Sequence, residues 1–290
     1  MRFGDLEVDL ISDGLVRVDA GGPFGLVPRS LYERYVTLAE DNTLTMALTC
    51  MLVRSRGKTI LIDTGLGNKL KKGAIRRWGL TRNAGGLLDN LAKKGVAAQD
   101  VDIVINTHLH SDHCGGNTVW EGEKLVATFP EAEYWVQRME WADASHPDAR
   151  TRSTYLTENF SILHEEGRLK LLHGDTSVTD QVRCVVTPGH TRGHQSVLLQ
   201  DGSWHGLFLA DLATFAIHFA RAAWLTSYDV LPLENVRTKT HWQRWALEHD
   251  AWIFVEHDPA MPVAHLIEED GRINVESLGL ATPLIDDLPK

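Results

Sequence analysis

The segment Thr107-His108-Leu109-His110-Ser111-Asp112-His113-Cys114-Gly115-Gly116 limits what this chain can become more than any other. It follows the apolar run Ile103-Val104-Ile105, so three imidazoles and a carboxylate are delivered at the end of a core strand. Burying so much polarity without partners is costly, and a metal ion is the partner that imidazoles and carboxylates share. Residues two apart in an extended chain point the same way, so His108 and His110 reach one ion together. Where the chain turns into a helix the direction changes. Asp112 and His113 then address a second ion beside the first, and Gly115 and Gly116 let the backbone bend tightly.

The same design recurs along the chain. Thr59-Ile60-Leu61-Ile62 runs into Asp63, Leu207-Phe208-Leu209 leads to Asp211, and Trp252-Ile253-Phe254-Val255 leads to His257. Arg183-Cys184-Val185-Val186 ends at Thr187-Pro188-Gly189-His190, where Pro and Gly stop a strand and set His190 on a turn. Continuous apolar runs suit strands covered on both faces by helices. Helical stretches are predicted at Leu87 to Lys94, Arg138 to Ala144, Thr154 to Glu166 and Leu233 to Glu248. Strands alternating with helices make an α/β protein. The order Asp63 then His108 is matched by Asp211 then His257, which hints at two similar β-rich halves facing each other. With no repeat, low-complexity tract or linker in view, a single domain over residues 1–290 is expected.

Composition narrows the function. A formal net charge of −10 repels polyanions, so nucleic acid is not an expected partner. MRFGDLEVDL has neither a basic start nor a long apolar stretch, and no membrane segment or secretory leader is expected. Cys50, Cys114 and Cys184 are too few and too scattered for a disulfide framework, which points to the reducing cytoplasm. Of the 14 histidines, His146, His164, His173, His205, His241, His249 and His265 sit in polar or helical surroundings and are expected to be surface or structural residues. His-rich donor sets favour zinc, with iron, cobalt or manganese as alternatives. Two ions about 3.5–4 Å apart that share one oxygen call for a bridging carboxylate. Asp211 is the candidate.

HLHSDH, PGHTRGHQS, LFLAD and VEHD, in that order, resemble the metallo-β-lactamase superfamily over nearly the whole chain. The resemblance implies a four-layer αβ/βα sandwich, two β-sheets flanked by helices, with two divalent metal ions at one edge. It assigns His108, His110 and His190 to the first ion, Asp112, His113 and His257 to the second, and Asp211 to both. Asp63 resembles the family's carboxylate that hydrogen-bonds a metal-bound histidine. His194 has either such an outer role or a plain structural hydrogen bond.

Within the superfamily the chain is most similar to the lactonases, including quorum-quenching N-acyl-homoserine lactonases, and to the related organophosphate hydrolases. The implied reaction opens an ester or lactone ring of a small molecule with a hydroxide shared by the two ions, Asp112 or Asp211 passing a proton to the leaving oxygen. Aryl-ester or organophosphate hydrolysis is the alternative. Thiolester hydrolysis of the glyoxalase II type fits less well, since only 33 residues follow His257. A diiron redox protein is the alternative from another class, but it normally carries a flavin domain. Those lactonases place a tyrosine three residues after the bridging aspartate, where this chain has Thr214. Tyr228 or His218 substitutes for it, or each is a packing residue. Phe215, His218, Phe219, Trp224 and Tyr228 either wall the substrate pocket or form a buried helix or homodimer contact. Phe24 and Leu26, beside Gly21-Gly22-Pro23, are expected to add a flexible lip.

Overall fold

Alternate residues of the central strands enter different cores. In the strand Lys58–Ile62, Ile60 and Ile62 join one apolar cluster and Leu61 another. In the strand Trp204–Phe208, Phe208 joins the first cluster while Leu207 joins a third. Such a strand has no wet face, which is why its sequence is a continuous apolar run. A computed structural model describes residues 1–279; residues 280–290, the end of the expected domain, lie outside the described residues.

The first half supplies β1 (Arg2–Phe3), β2 (Leu6–Asp19), β3 (Thr43–Ser55), β4 (Lys58–Ile62), β5 (Ile103–Ile105), β6 (Thr118–Glu121), β7 (Lys124–Ala127), β8 (Glu133–Gln137) and β9 (Leu169–Leu172). The second supplies β10 (Thr176–Ser177), β11 (Val182–Val186), β12 (Gln195–Asp201), β13 (Trp204–Phe208), β14 (Trp252–Phe254), β15 (Val263–Glu269) and β16 (Arg272–Ser277). One sheet runs β1-β2-β3-β4-β5-β8-β9 and the other β10-β11-β12-β13-β14-β15-β16, with β6-β7 a separate hairpin. Each sheet is antiparallel up to its centre, where β4 pairs parallel with β5 and β13 parallel with β14. Beyond that centre they differ, since β5, β8 and β9 stay parallel whereas β14, β15 and β16 are antiparallel.

Leu6, Val8, Met51, Ile60, Ile62 and Ile105 from one sheet meet Cys184, Val197, Leu199, Phe208 and Phe254 from the other in the inner core. On the outer side of the first sheet, Leu61, Val104 and Tyr134 pack under Leu87 and Leu91 of the helix Leu87–Lys93. On the outer side of the second, Leu207 and Ile253 pack under Trp242 and Ala246 of the helix Pro232–Glu248. Fully burying each such side chain contributes roughly 1.5–3 kcal/mol, so the three interfaces together fix the layer order. The result is the four-layer αβ/βα sandwich.

One predicted helix is corrected. Thr154 to Glu166 is not continuous but two short turns, Thr157–Asn159 and Ser161–Glu165, broken at Phe160 with φ −145°. Phe160 is buried among Leu109, Val136, Ala144 and Tyr155, and that packing overrides local helical propensity. The other three helices form as Leu87–Lys93, Arg138–Ser145 and Pro232–Glu248, the last opened by a proline whose missing N–H costs nothing at a helix start. Cys50, Cys114 and Cys184 are free and buried. Among the described residues no helix is long and apolar enough to cross a membrane.

Candidate metal centre

The parallel strands β4, β5, β13 and β14 end at one edge of the sandwich, and the loops that follow them, together with the loop after β11 that carries His190, hold the candidate ligands. All seven sequence candidates come together there. His108, His110 and His190 form one group, Asp112, His113 and His257 another, and Asp211 joins His108 and His113 in a third; within each group the donor atoms lie within 4.8 Å of one another. Asp211 divides its carboxylate between the two sides. Its Oδ2 is 3.1 Å from His190 Nε2 and 3.6 Å from His113 Nε2, while its Oδ1 is 3.1 Å from His257 Nε2.

Outer groups decide which ring nitrogen faces the centre. His257 Nδ1 donates to Ala47 O at 2.7 Å, and His113 Nδ1 donates to Asp63 Oδ2 at 3.0 Å. Asp63 also accepts from the Thr107 backbone N–H at 2.8 Å and from the Thr107 hydroxyl at 2.6 Å, which leaves that oxygen free to accept from His108 Nδ1 at 3.1 Å. Asp63 sits at φ 57°, a left-handed conformation that turns its side chain back under the cluster. His194 takes the outer role: its Nε2 accepts from the Asp211 backbone N–H at 3.1 Å and its Nδ1 bonds Thr187 Oγ1 at 2.8 Å. Gly189, at φ +146°, permits the turn before His190 to press on the long helix, where a Cβ would lie 2.4 Å from Asn235 Cα.

Three further carboxylates escaped the sequence reading. Asp229 Oδ1 accepts from His190 Nδ1 at 3.0 Å, while its Oδ2 accepts from Thr226 N at 3.1 Å. Glu256 is fully buried with Oε1 3.2 Å from His113 Nδ1, and burial pushes its carboxyl up to about 8. Glu140, also fully buried, accepts from Leu109 N, Tyr155 Oη and Thr191 Oγ1, tying the His108 and His190 loops together. Glu256 adjoins a motif residue at a strand end, a signal that sequence alone offered; Asp229 and Glu140 lie far from any motif. Outer-shell partners of this kind are worth about 10–100-fold in metal affinity. Asp229→Asn is expected to weaken binding of the ion at His190 by that factor, measured by competition with a chromophoric chelator; unchanged affinity counts against the assignment.

The donors fit divalent cations. With their Nδ1 atoms bonded outward, His113 and His257 bring their Nε2 atoms within 3.2 Å of each other, where a metal ion would take the place of any proton on them. His190 Nε2 and His110 Nδ1 are likewise 3.0 Å apart. Facing lone pairs repel unless a cation lies between them, and zinc–nitrogen bonds of 2.0–2.1 Å at tetrahedral angles separate two nitrogens by about 3.3 Å. His108 Nε2 and Asp211 Oδ1 are buried with no hydrogen-bond partner. Electrostatics agree. Burial pushes Asp211 up, but His190, His257 and His113 outweigh it and hold the carboxyl well below its usual range. Burial pushes His257 down, but Asp211 and Glu256 lift it to about 9. His108 and His110, buried and ringed by other imidazoles, are held well below 6.5 and so stay in the neutral form that ligates metals.

A cavity of about 280 Å³ opens over the cluster. His110, Asp112, His190 and Asp211 form its floor, Val18, Met46 and Trp78 an apolar wall, and Arg150, Thr151, Ser153, Thr154, Ser227 and Tyr228 a polar one. Tyr228 is the one candidate pocket residue of the sequence reading that lines it. Phe24, Leu26, Phe215, His218, Phe219 and Trp224 are absent from this lining, and for the aromatics after Asp211 the buried-helix alternative fits the packing. Phe24, Phe215 and Phe219 are buried core residues, Trp224 packs on that core, and Leu26 is fully exposed. His218 is buried against Phe24, its ring 4.7 Å away, in the wholly buried helix Ala216–Ala220. Burial and the Lys239 charge push it down to about 3. Aromatic spacing after Asp211 thus marked a packing helix rather than a pocket wall.

The profile described as the metallo-β-lactamase superfamily fits residues 47–250. The N-acyl homoserine lactonase AttM of Rhizobium radiobacter is 26% identical over 190 residues, 63% of this chain and 67% of that protein. An N-acyl homoserine lactonase of Bacillus cereus is 28% identical over 177 residues, 57% of this chain and 62% of that protein. The chain therefore spans about two thirds of the length of these curated relatives. A probable metal-dependent hydrolase from Staphylococcus aureus superposes with a TM-score of 0.87 at 24% identity, covering 97% of this chain and 100% of the other. AidC, a dizinc quorum-quenching lactonase in complex with a product, superposes with a TM-score of 0.79 at 21% identity, covering 97% of each chain. Together with the sandwich and its edge cluster, the match over residues 47–250 shows that the chain belongs to the metallo-β-lactamase superfamily.

Proposed function

We propose that the protein is a dinuclear metal-dependent hydrolase that opens lactone rings of the N-acyl-homoserine lactone class. The observation that carries the reading is Asp211, its two oxygens shared between His190 on one side and His257 on the other at the floor of a half-apolar cavity. The lactonase names of the sequence relatives support the substrate class. His108, His110 and His190 would hold one ion, Asp112, His113 and His257 the other, and Asp211 both. Zinc is the first choice for these donors, ahead of iron, cobalt or manganese. Two such ions supply Lewis acidity and an activated water near neutral pH.

The chain's own residues do the rest. Val18, Met46 and Trp78 offer an apolar face for the acyl chain. Thr214, where a lactonase tyrosine is expected, is buried with its hydroxyl unpartnered. Tyr228 lines the cavity instead. No hydrogen bond joins its hydroxyl to the described residues, and although the side chain is 40% exposed, desolvation of the phenol end and the nearby Asp112 and Asp211 charges raise it above the usual phenol range. It keeps its proton at neutral pH and is free to donate to the substrate carbonyl oxygen, where negative charge develops. Asp211 is locked between imidazoles, so Asp112, half-buried on the cavity floor, is the group placed to take a proton from the attacking water and pass it to the leaving oxygen.

A panel of acyl lactones, aryl esters, aryl phosphates and thiolesters, run with the metal-loaded protein, tests the reading. The highest kcat/KM is expected for acyl lactones. Turnover of aryl phosphates or thiolesters with none of lactones would replace it.

A further inference from the structure

The polar wall of the cavity holds one arginine, Arg150, on its exposed rim. Arg150 forms no ion pair with Asp or Glu among the described residues, although the chain's net charge is −10. Its Nη2 donates to Ser227 O at 2.7 Å and to Asp229 O at 2.9 Å, which fixes the guanidinium beside the loop that carries Tyr228 and Asp229. Arg150 is exposed, and among the described residues its Nε and Nη1 protons meet no acceptor, so they are open to solvent or to a ligand. Asp148, the nearest acid in sequence, is occupied by the backbone N–H groups of Arg150 and Thr151 and by the Thr151 hydroxyl.

The neighbouring hydroxyls are already committed as donors. Thr154 donates to Thr151 O and Ser227 to Gly22 O. What this wall still offers a ligand is therefore the Arg150 guanidinium, with the Ser153 and Tyr228 hydroxyls nearby. A fixed cation with spare protons, facing an apolar wall, suits a molecule with a hydrocarbon middle and an anionic end.

Resting on the lactonase reading, we infer that Arg150 is a specificity-determining residue that binds a carboxylate carried by the acyl part of the substrate, distant from the scissile bond. The preferred substrates are then ω-carboxyacyl lactones rather than plain alkanoyl lactones of the same length. A charge-assisted hydrogen bond of this kind is worth about tenfold in KM.

The test compares two matched lactones, an ω-carboxyalkanoyl and an alkanoyl homoserine lactone, in the parent, Arg150→Gln and Arg150→Lys. The quantity read is the ratio of their KM values, so that any loss common to both substrates, as from a disturbed loop, cancels. The parent is expected to favour the carboxylated lactone about tenfold, Arg150→Gln to lose that preference, and Arg150→Lys to recover part of it. Calorimetric titration of the metal-loaded proteins with the two ring-opened products reads the same preference without turnover. Equal affinity of the parent for the two products overturns the inference, as does a preference that survives in Arg150→Gln. Failure of the parent to hydrolyse either lactone overturns the lactonase reading instead, and the product titration still decides the role of Arg150.

Discussion

If the protein is the dinuclear lactonase proposed above, Asp211→Asn is expected to lower kcat/KM on acyl lactones by about 10³-fold and to reduce bound metal from two equivalents toward one. The substitution keeps the side chain's shape and removes its charge. An amide has one oxygen to offer, so whichever way it turns, its NH₂ faces His190 Nε2 or His257 Nε2, each now 3.1 Å from a carboxylate oxygen. That nitrogen donates rather than ligates, so one side of the cluster loses its shared partner. The three imidazoles that hold Asp211 ionised also lose their counter-charge, and the buried site becomes costly. Metal analysis alongside steady-state kinetics checks both halves of the prediction. An Asn variant that retains two ions and parent-like turnover would remove Asp211 from the reaction.

Tyr228→Phe is expected to lower kcat by about 10²-fold while KM stays within a few-fold, the pattern of a donor that acts as charge develops on oxygen. The phenol is held in place from an unusual direction. A Cβ on Gly22 would stand 1.8 Å from the Tyr228 hydroxyl oxygen, so Gly22→Ala has to move that oxygen. The same fall in kcat is expected from Gly22→Ala, and combining the two adds little, because both remove one contact. Kinetics of the two single variants and the double decide it. If Tyr228→Phe turns over lactones at the parent rate, carbonyl polarisation belongs to another group.

The sequence makes the donors legible because most sit just beyond a strand buried on both faces, and such strands are unbroken apolar runs. His108, Asp211 and His257 share that grammar, and Asp63 does too, whereas His190 follows β11, whose Arg183 and Val186 are exposed, and was marked by the Pro188-Gly189 turn instead. The layer order was legible for the same reason. Asp229, Glu140 and Arg150 were not, since they reach the site through loops and helices whose path depends on tertiary packing. Arg150 comes in on the segment after the helix Arg138–Ser145 and meets Ser227 across 77 residues of sequence. The aromatic run after Asp211 left both readings open for a physical reason: apolar spacing reports burial, and a core helix and a cavity wall have the same signature. The split of Thr154 to Glu166 was hidden likewise, because only the cluster around Phe160 breaks it.

Ligands and cavity walls come largely from different parts of the chain. Val18, Met46 and Trp78 belong to the first half, and Arg150, Thr151, Ser153, Thr154 and Ser227 to connecting loops, whereas the donors follow the ends of sheet strands. Substitutions in the first set reshape what enters while the rigid framework keeps its grip on the reacting centre. Such a scaffold can drift from one substrate to another by small steps while its metal-binding framework stays in place.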